Sequence, residues 1–444
     1  MVGTDSASVA VSQRIRHMAV LTAEITALKN QNYSGTGTVY RGVINNSVDK
    51  GCHCGYDDHI MALNCGIVGL PNVGKTTIFS ALSSAPAETA NYQFSTINPN
   101  VGIINVPDER LNKLSALFNP KKTIPAAVEF VDIAGLVKGS SRGEGLGNQF
   151  LSHIREVGVI AHVVRCFEDP DIIHVSDKID PASDIETINI ELALADLDTL
   201  QRRHERAEKT LKVPTEKKAA ETVLSALEKI KILLEDGKPA RIAPLSDEEK
   251  AAIYDCHFIT MKPQLYLCNL DENGIKAVMA AANPGGVAAA DTVNAVAFVE
   301  AVQKQAASEN TEAVLICGKF EAELAGITDM EEKQAFLEEL GLKESGLVTL
   351  IRAAYHLLGL RTFFTAGEDE CRAWTIHAGD KAPRAAGVIH TDFEKGFIKA
   401  EVYSCEDIFK YGTEAKIKEA GKYRLEGKEY TVEDGDVMFI KFNL

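Results

Sequence analysis

The chain has 444 residues, 45% hydrophobic and 25% charged, the composition of a globular protein with two or three domains. Lys and Arg number 47 against 63 Asp and Glu, a net charge of −16 that excludes general nucleic-acid binding and leaves only a local basic patch for such contacts. No apolar run approaches the roughly 18 residues of a membrane span, and nine scattered cysteines suit reduced thiols in a cytoplasmic protein better than a disulfide framework.

Residues 1–60 are rich in Ser, Gly, Asn and Thr and show no clear strand pattern beyond one amphipathic stretch at 14–29. They are expected to be a disordered extension. Asp5, Glu24 and the lack of a clear cleavage signal argue against a targeting presequence. Cys52-His53-Cys54 with His59 fits no standard zinc module. Met61, directly before the first strand, would make a sensible start.

From 61 to about 190, strand-like runs at 64–68, 101–106, 127–131 and 159–164 alternate with helix-like runs. Near-continuous apolar strands separated by helices predict an α/β fold with a doubly wound sheet buried on both faces. Runs at 264–268 and 313–317 continue that sheet, so 262–345 is read as its second part and 191–261 as an insertion. Within the insertion, Leu197, Leu200, His204, Ala207 and Leu211 and then Val223, Leu227, Ile230 and Leu234 step by three and four on either side of Pro214. That spacing predicts an antiparallel helical hairpin. Arg202, Arg203, Arg206, Lys209, Lys212, Lys217 and Lys218 near its turn are either a solvated face or a contact for RNA phosphates. Residues 281–311, rich in Ala, Asn and Gly, predict a variable loop with a short helix. Residues 345–360 predict a helix, and 359–442 read as a small α+β module with its own core.

The chemistry is carried by Gly69-Leu70-Pro71-Asn72-Val73-Gly74-Lys75-Thr76-Thr77, a G-x-x-x-x-G-K-T phosphate loop between strand and helix. Its backbone N–H groups converge on an anion, Lys75 reaches the outer phosphates and the Thr76 hydroxyl can ligate Mg2+. Asp132-Ile133-Ala134-Gly135 follows a buried strand, where an acidic residue can hold Mg2+ through water and a glycine N–H can sense the γ-phosphate. Gly139, Gly143, Gly145 and Gly147 then suit a switch segment. Thr96, in the loop before the second strand, is positioned to complete the Mg2+ shell around a triphosphate. Asn269-Leu270-Asp271-Glu272 stands where guanine-specific proteins carry Asn-Lys-x-Asp. Leu270 and Glu272 break the guanine code, while Asn269 can still contact a purine edge.

These motifs resemble the Obg-like ATPase family, the YchF subfamily of translation-factor-class P-loop GTPases. The resemblance runs from 61 to 444 and includes Gly143-Glu144-Gly145-Leu146-Gly147-Asn148-Gln149-Phe150, Ala373-Trp374-Thr375-Ile376 and His390-Thr391-Asp392-Phe393-Glu394-Lys395-Gly396-Phe397-Ile398. It implies a G domain, a helical hairpin and a C-terminal TGS domain of ubiquitin-like (β-grasp) fold. It also implies ATP preferred over GTP, Mg2+ dependence, ribosome association and a role in translation or stress responses, with neither membrane nor DNA expected as a partner. The nucleotide would be held by Asn72, Val73, Gly74, Lys75, Thr76, Thr77, Asn269, Leu270 and Glu272, and Mg2+ by Thr76 and Thr96. Two departures stand out: residues 1–60 have no counterpart, and Gln93 replaces a usual Pro, a change expected to loosen the first switch.

Leu136 occupies the position where Ras-like enzymes place a water-orienting Gln, so intrinsic hydrolysis is expected to be slow. The resemblance offers His174 as a replacement catalytic group beside Lys75, and related GTPases offer Asn72 as a ligand for K+. Two other readings compete with the ATPase switch: an Obg-type GTPase, and a nucleotide-gated RNA or protein adaptor with vestigial hydrolysis.

Overall fold

The computed structural model describes residues 64–84, 100–133, 146–174, 178–282, 293–327 and 329–443. The expectations for residues 1–60, Gln93, Thr96 and 134–145 lie outside them.

The first half builds one six-stranded sheet. Its strands are β1 (Asn64–Val68), β2 (Val101–Asn105), β4 (Ala127–Asp132), β5 (Val159–Arg165), β6 (Gln264–Asn269) and β7 (Ala313–Ile316), in the order β2-β4-β1-β5-β6-β7. Every pair is parallel except β2 with β4. Every residue of β5 and β6 is buried, as expected for central strands covered by helices on both faces. Helices α1 (Lys75–Ser84), α2 (Glu109–Phe118) and α3 (Leu146–Glu156) belong to this half. Gly147, read as part of a switch segment, lies in the first turn of α3.

The insertion is a helical hairpin of α4 (Pro181–Thr210) and α5 (Lys217–Glu235), followed by the short α6 (Asp247–Ala252). Leu200, Ala207, Val223, Leu227, Ile230 and Leu234 share its buried seam, as the spacing predicts. Its first helix begins at Pro181, ten residues before the 191 expected for the insertion. Asp180 caps the helix and Pro181 takes the first position, which its fixed φ and missing N–H favour. The first turns of α4 pack on the sheet domain through Ile185, Ile188 and Leu192. At the root, buried Asp196 accepts from the Ile259 N–H, the Thr260 N–H and the Thr260 hydroxyl at 2.7–2.9 Å.

After the hairpin come α7 (Glu272–Ala282), α8 (Val293–Ser308), α9 (Gly318–Gly326), α10 (Met330–Glu339) and α11 (Gly346–Leu357). The short helix expected within 281–311 is a 16-residue element, α8; its alanines favour a helix. Ser345 caps α11 on the Val348 N–H.

A second six-stranded sheet follows, formed by β8 (Leu360–Ala366), β9 (Glu370–His377), β10 (Phe397–Ser404), β11 (Arg424–Glu426) and β12 (Asp436–Phe442), with helices α12 (Ala382–Ile389), α13 (Thr391–Lys395), α14 (Cys405–Tyr411) and α15 (Glu414–Glu419). Its sixth strand, β3 (Lys122–Ile124), comes from the first half and pairs parallel with β9. The period of two along β8 sends neighbouring phenylalanines to opposite faces. Phe363 packs with Ala385, Ala386 and Val402 under α12, whereas Phe364 joins Leu114 and Leu350 of the first half. The C-terminal module therefore does not have a core wholly its own: one face has a local core and the other is continuous with the G domain.

Candidate functional site

The loops at the C-terminal ends of β1, β5, β6 and β7 converge on one cavity of about 610 Å3, lined by Asn72, Gly74 and Thr77, by Phe167, Glu168, Asp169 and Ile172, by 269–273, and by Cys317 and Lys319. In a parallel sheet the strand ends on this side are where ligands bind.

The phosphate loop needs unusual backbone conformations at two places. Gly74 has φ 95°, and a Cβ there would lie 2.2 Å from the Asn269 amide nitrogen, so no other residue fits. Asn72 has φ 62°, a left-handed conformation that Asn tolerates, and its Nδ2 donates to the Ile173 carbonyl at 3.1 Å. Val73 is buried, and its carbonyl accepts from Asn269 Nδ2 at 2.9 Å. Lys75 opens α1, is 8% exposed and donates to the Leu70 carbonyl at 2.7 Å. Burial lowers its amine to about 8 against the opposing pull of Asp132. Burial raises the Asp132 carboxyl, offset by Lys75 and by a hydrogen bond with the Thr76 hydroxyl.

Oδ1 of Asp132 is buried with no hydrogen-bond partner among the described residues. A carboxylate oxygen left open beside a threonine hydroxyl is a hard, all-oxygen donor set, which suits Mg2+. The residues present therefore fit the ion.

Asn269, packed directly against the phosphate loop, is a strut. Besides the bond to Val73, its Oδ1 accepts from the Gly318 N–H at 3.0 Å, so its amide joins the loops after β1, β6 and β7. Leu270 is 2% exposed, packs with Ile275 and Ala295, and also lines the cavity. Glu272 begins α7 and does line the cavity, together with Glu168, Asp169 and Asp271; among the described residues Lys319 is the one lysine beside them.

His174 does not join this group in the conformation observed. Its ring is buried, with Nε2 3.0 Å from Asp184 Oδ2 in the first turn of α4, and it does not line the cavity. The ring is held at the hairpin root. Phe167, Asp169, Cys317 and Lys319 were missed by the sequence reading. Their signal was position alone, since each follows the C-terminal end of a buried strand.

On the hairpin, Arg202, Arg206, Lys209, Lys212 and Lys218 are exposed. Arg203 turns inward to Asp255 at 3.4 Å and is removed from the exposed cluster.

Comparison with known proteins extends this geometry. Residues 64–203 match the MMR_HSR1 family, described as a 50S ribosome-binding GTPase, and residues 360–443 match YchF-GTPase_C, described as a protein of unknown function. The chain is 53% identical over 384 residues to the ribosome-binding ATPase YchF of Bacillus subtilis, covering 86% of this chain and 100% of that protein. The protein of the same name from Escherichia coli O157:H7 is 51% identical with the same coverage. The solved structure of the Schizosaccharomyces pombe YchF GTPase superposes with a TM-score of 0.74 at 37% identity, covering 85% of this chain and 97% of that one. On this identity, sustained over the full length of the bacterial relatives and matched in fold, the chain belongs to the YchF family.

Proposed function

We propose that the chain binds ATP with Mg2+ in the cavity between the phosphate loop and residues 269–273, hydrolyses it slowly, and works as a nucleotide-set switch on the ribosome. The observation that carries the reading is the open Asp132 oxygen beside Lys75 and Thr76, on the same phosphate loop whose Asn72, Gly74 and Thr77 line a cavity of about 610 Å3. The names of the relatives, ribosome-binding ATPase, supply the partner and the base.

In this reading the loop N–H groups and Lys75 bind the β- and γ-phosphates, and the α1 N-terminus adds its dipole. Mg2+, held by Thr76 and Thr96 with Asp132 behind water, would supply neutralisation of phosphate charge. Asn269 fixes the loop, and Glu272 and the 269–273 backbone face the base. Leu136 cannot orient water, and His174 is engaged by Asp184, so the chain on its own is expected to turn over slowly. Asn72 Oδ1 is the atom that would face K+, since Nδ2 is committed to Ile173. Equal turnover in Na+ and K+ buffers would reject that role.

GTP is the second reading, favoured by the description of the family matching residues 64–203. Titration with fluorescent ATP and GTP analogues separates the two, and co-sedimentation with ribosomes in each nucleotide state tests the switch. Tighter GTP binding overturns the ATPase assignment. Absence from the ribosome pellet in every state overturns the partner.

A further inference from the structure

Arg165, the last residue of β5, has no part in the reading above. It is 1% exposed and among the largest fully buried side chains; Asp169 and Asp184 pull on its charge electrostatically, but among the described residues no carboxylate reaches ion-pair distance. Its guanidinium is instead committed to the backbone of the loop that follows. Nε donates to the Phe167 carbonyl at 3.1 Å, Nη1 to Ile172 at 3.1 Å and Nη2 to Asp169 at 3.2 Å. The Phe167 ring lies against it, 4.6 Å from Cζ to centroid. Burying a charge is costly, and an apolar side chain would fill the same volume without that cost. What the guanidinium adds is direction: hydrogen bonds to three carbonyls fix the path of the loop.

That path is one wall of the cavity. Phe167, Glu168, Asp169 and Ile172 line it. The next carbonyl, Ile173, accepts from Asn72 of the phosphate loop, and the next side chain, His174, meets Asp184.

We propose that Arg165 is the positioning residue that shapes the base-facing wall before nucleotide arrives, and so sets affinity for the base and sugar rather than for the phosphates. The inference rests on the nucleotide reading of this cavity. Lysine keeps the charge but is a point donor without the planar fork, and cannot serve three diverging carbonyls.

The test measures binding of ATP, ADP and inorganic tripolyphosphate, each with Mg2+, to wild type and Arg165→Lys. The proposal expects ATP and ADP to weaken by about tenfold or more, the cost of losing hydrogen bonds to a charged group, with tripolyphosphate changed by less than about twofold. KM for ATP should rise with kcat nearly unchanged. Equal losses for tripolyphosphate and ATP, or an unchanged ATP affinity, overturn it. A second measurement needs no variant. In nucleotide-free wild type the Asp171 and Ile172 amides, which donate to Asp169, should already exchange slowly with solvent. Free exchange that slows only on adding ATP overturns the preformed wall. A wild type that binds no ATP sinks the nucleotide reading, and the exchange result still judges the loop.

Discussion

The side-chain nitrogen of Asn269 donates to the carbonyl of Val73 at 2.9 Å, tying the end of β6 to the phosphate loop after β1. The same amide accepts from Gly318 at the start of α9. Asn269→Ala removes both bonds and leaves a buried carbonyl and a buried N–H unsatisfied, each costing about 1–3 kcal/mol. ATP and ADP should weaken together by about 10- to 100-fold in calorimetric titration. An unchanged affinity would show that the loop holds its shape without the strut.

Lys75 supplies a pH dependence. Its pKa without nucleotide is lowered to about 8 by burial, and bound phosphate stabilises the ammonium and raises it. Above about 8, binding must therefore take up a proton; well below, it need not. ATP affinity should be flat near pH 7 and fall above pH 8 with a limiting slope of about tenfold per unit. The folding sign is separate. A lysine lowered from about 10.4 in the unfolded chain costs stability below 8, and that cost disappears as pH rises from about 8 to 10.4. Lys75→Met should abolish the slope in affinity.

The two threonines assigned to Mg2+ should separate by nucleotide. Thr76 hydrogen-bonds Asp132, so Thr76→Ala should weaken Mg2+-dependent binding of both ATP and ADP. Thr96, read from sequence as a triphosphate-state ligand, should when changed to Ala weaken ATP alone. Equal losses in the Thr96 variant would remove that assignment.

Base choice is best tested at Glu272. Rebuilding the guanine motif at Leu270 with Lys would bury an ammonium among Ile275 and Ala295, at a cost of several kcal/mol. Glu272→Asp shortens only the carboxylate that lines the cavity. An ATP preference of about 10- to 100-fold, or roughly 1.4–2.8 kcal/mol, is expected in wild type, shrinking towards parity in the variant. Competition between labelled ATP and GTP measures both, and an unshifted ratio would place the discrimination elsewhere.

The hairpin charges predict a salt dependence. Arg202, Arg206 and Lys209 are exposed, and changing all three to Glu should flatten the fall of ribosome binding with rising salt. Arg203→Glu should instead destabilise the hairpin, since its ion pair runs to Asp255. Co-sedimentation that ignores salt would leave the charges as a solvated face.

What the sequence revealed and concealed follows from the range of the forces involved. The six strands of the first sheet were legible because their apolar runs are locally continuous, as was the hairpin seam from its three-and-four spacing. The first turns of α4 were not, because their partners lie on the sheet domain rather than on α5. Lys75, Thr76 and Asp132 were found by motif. Arg165 was not, because a charge at the end of an apolar strand reads as the place where the strand meets water. His174 was read for chemistry, but its environment is set by Asp184, a contact no spacing rule specifies.

The pairing of β3 with β9 bears on where this protein can be cut. Similarity assigns the C-terminal segment to residues 360–443, yet its sheet closes only with Lys122–Ile124 from far upstream. A fragment excised at that boundary would bare the backbone edge of β9 and the apolar face around Phe364, Cys371, Ala373 and Val437. Bare edges recruit strands from other molecules. The excised piece should therefore self-associate, and a chimera that exchanges C-terminal segments between relatives must keep the donor's partner for β9 as well: the unit that similarity recognises is smaller than the unit that folds.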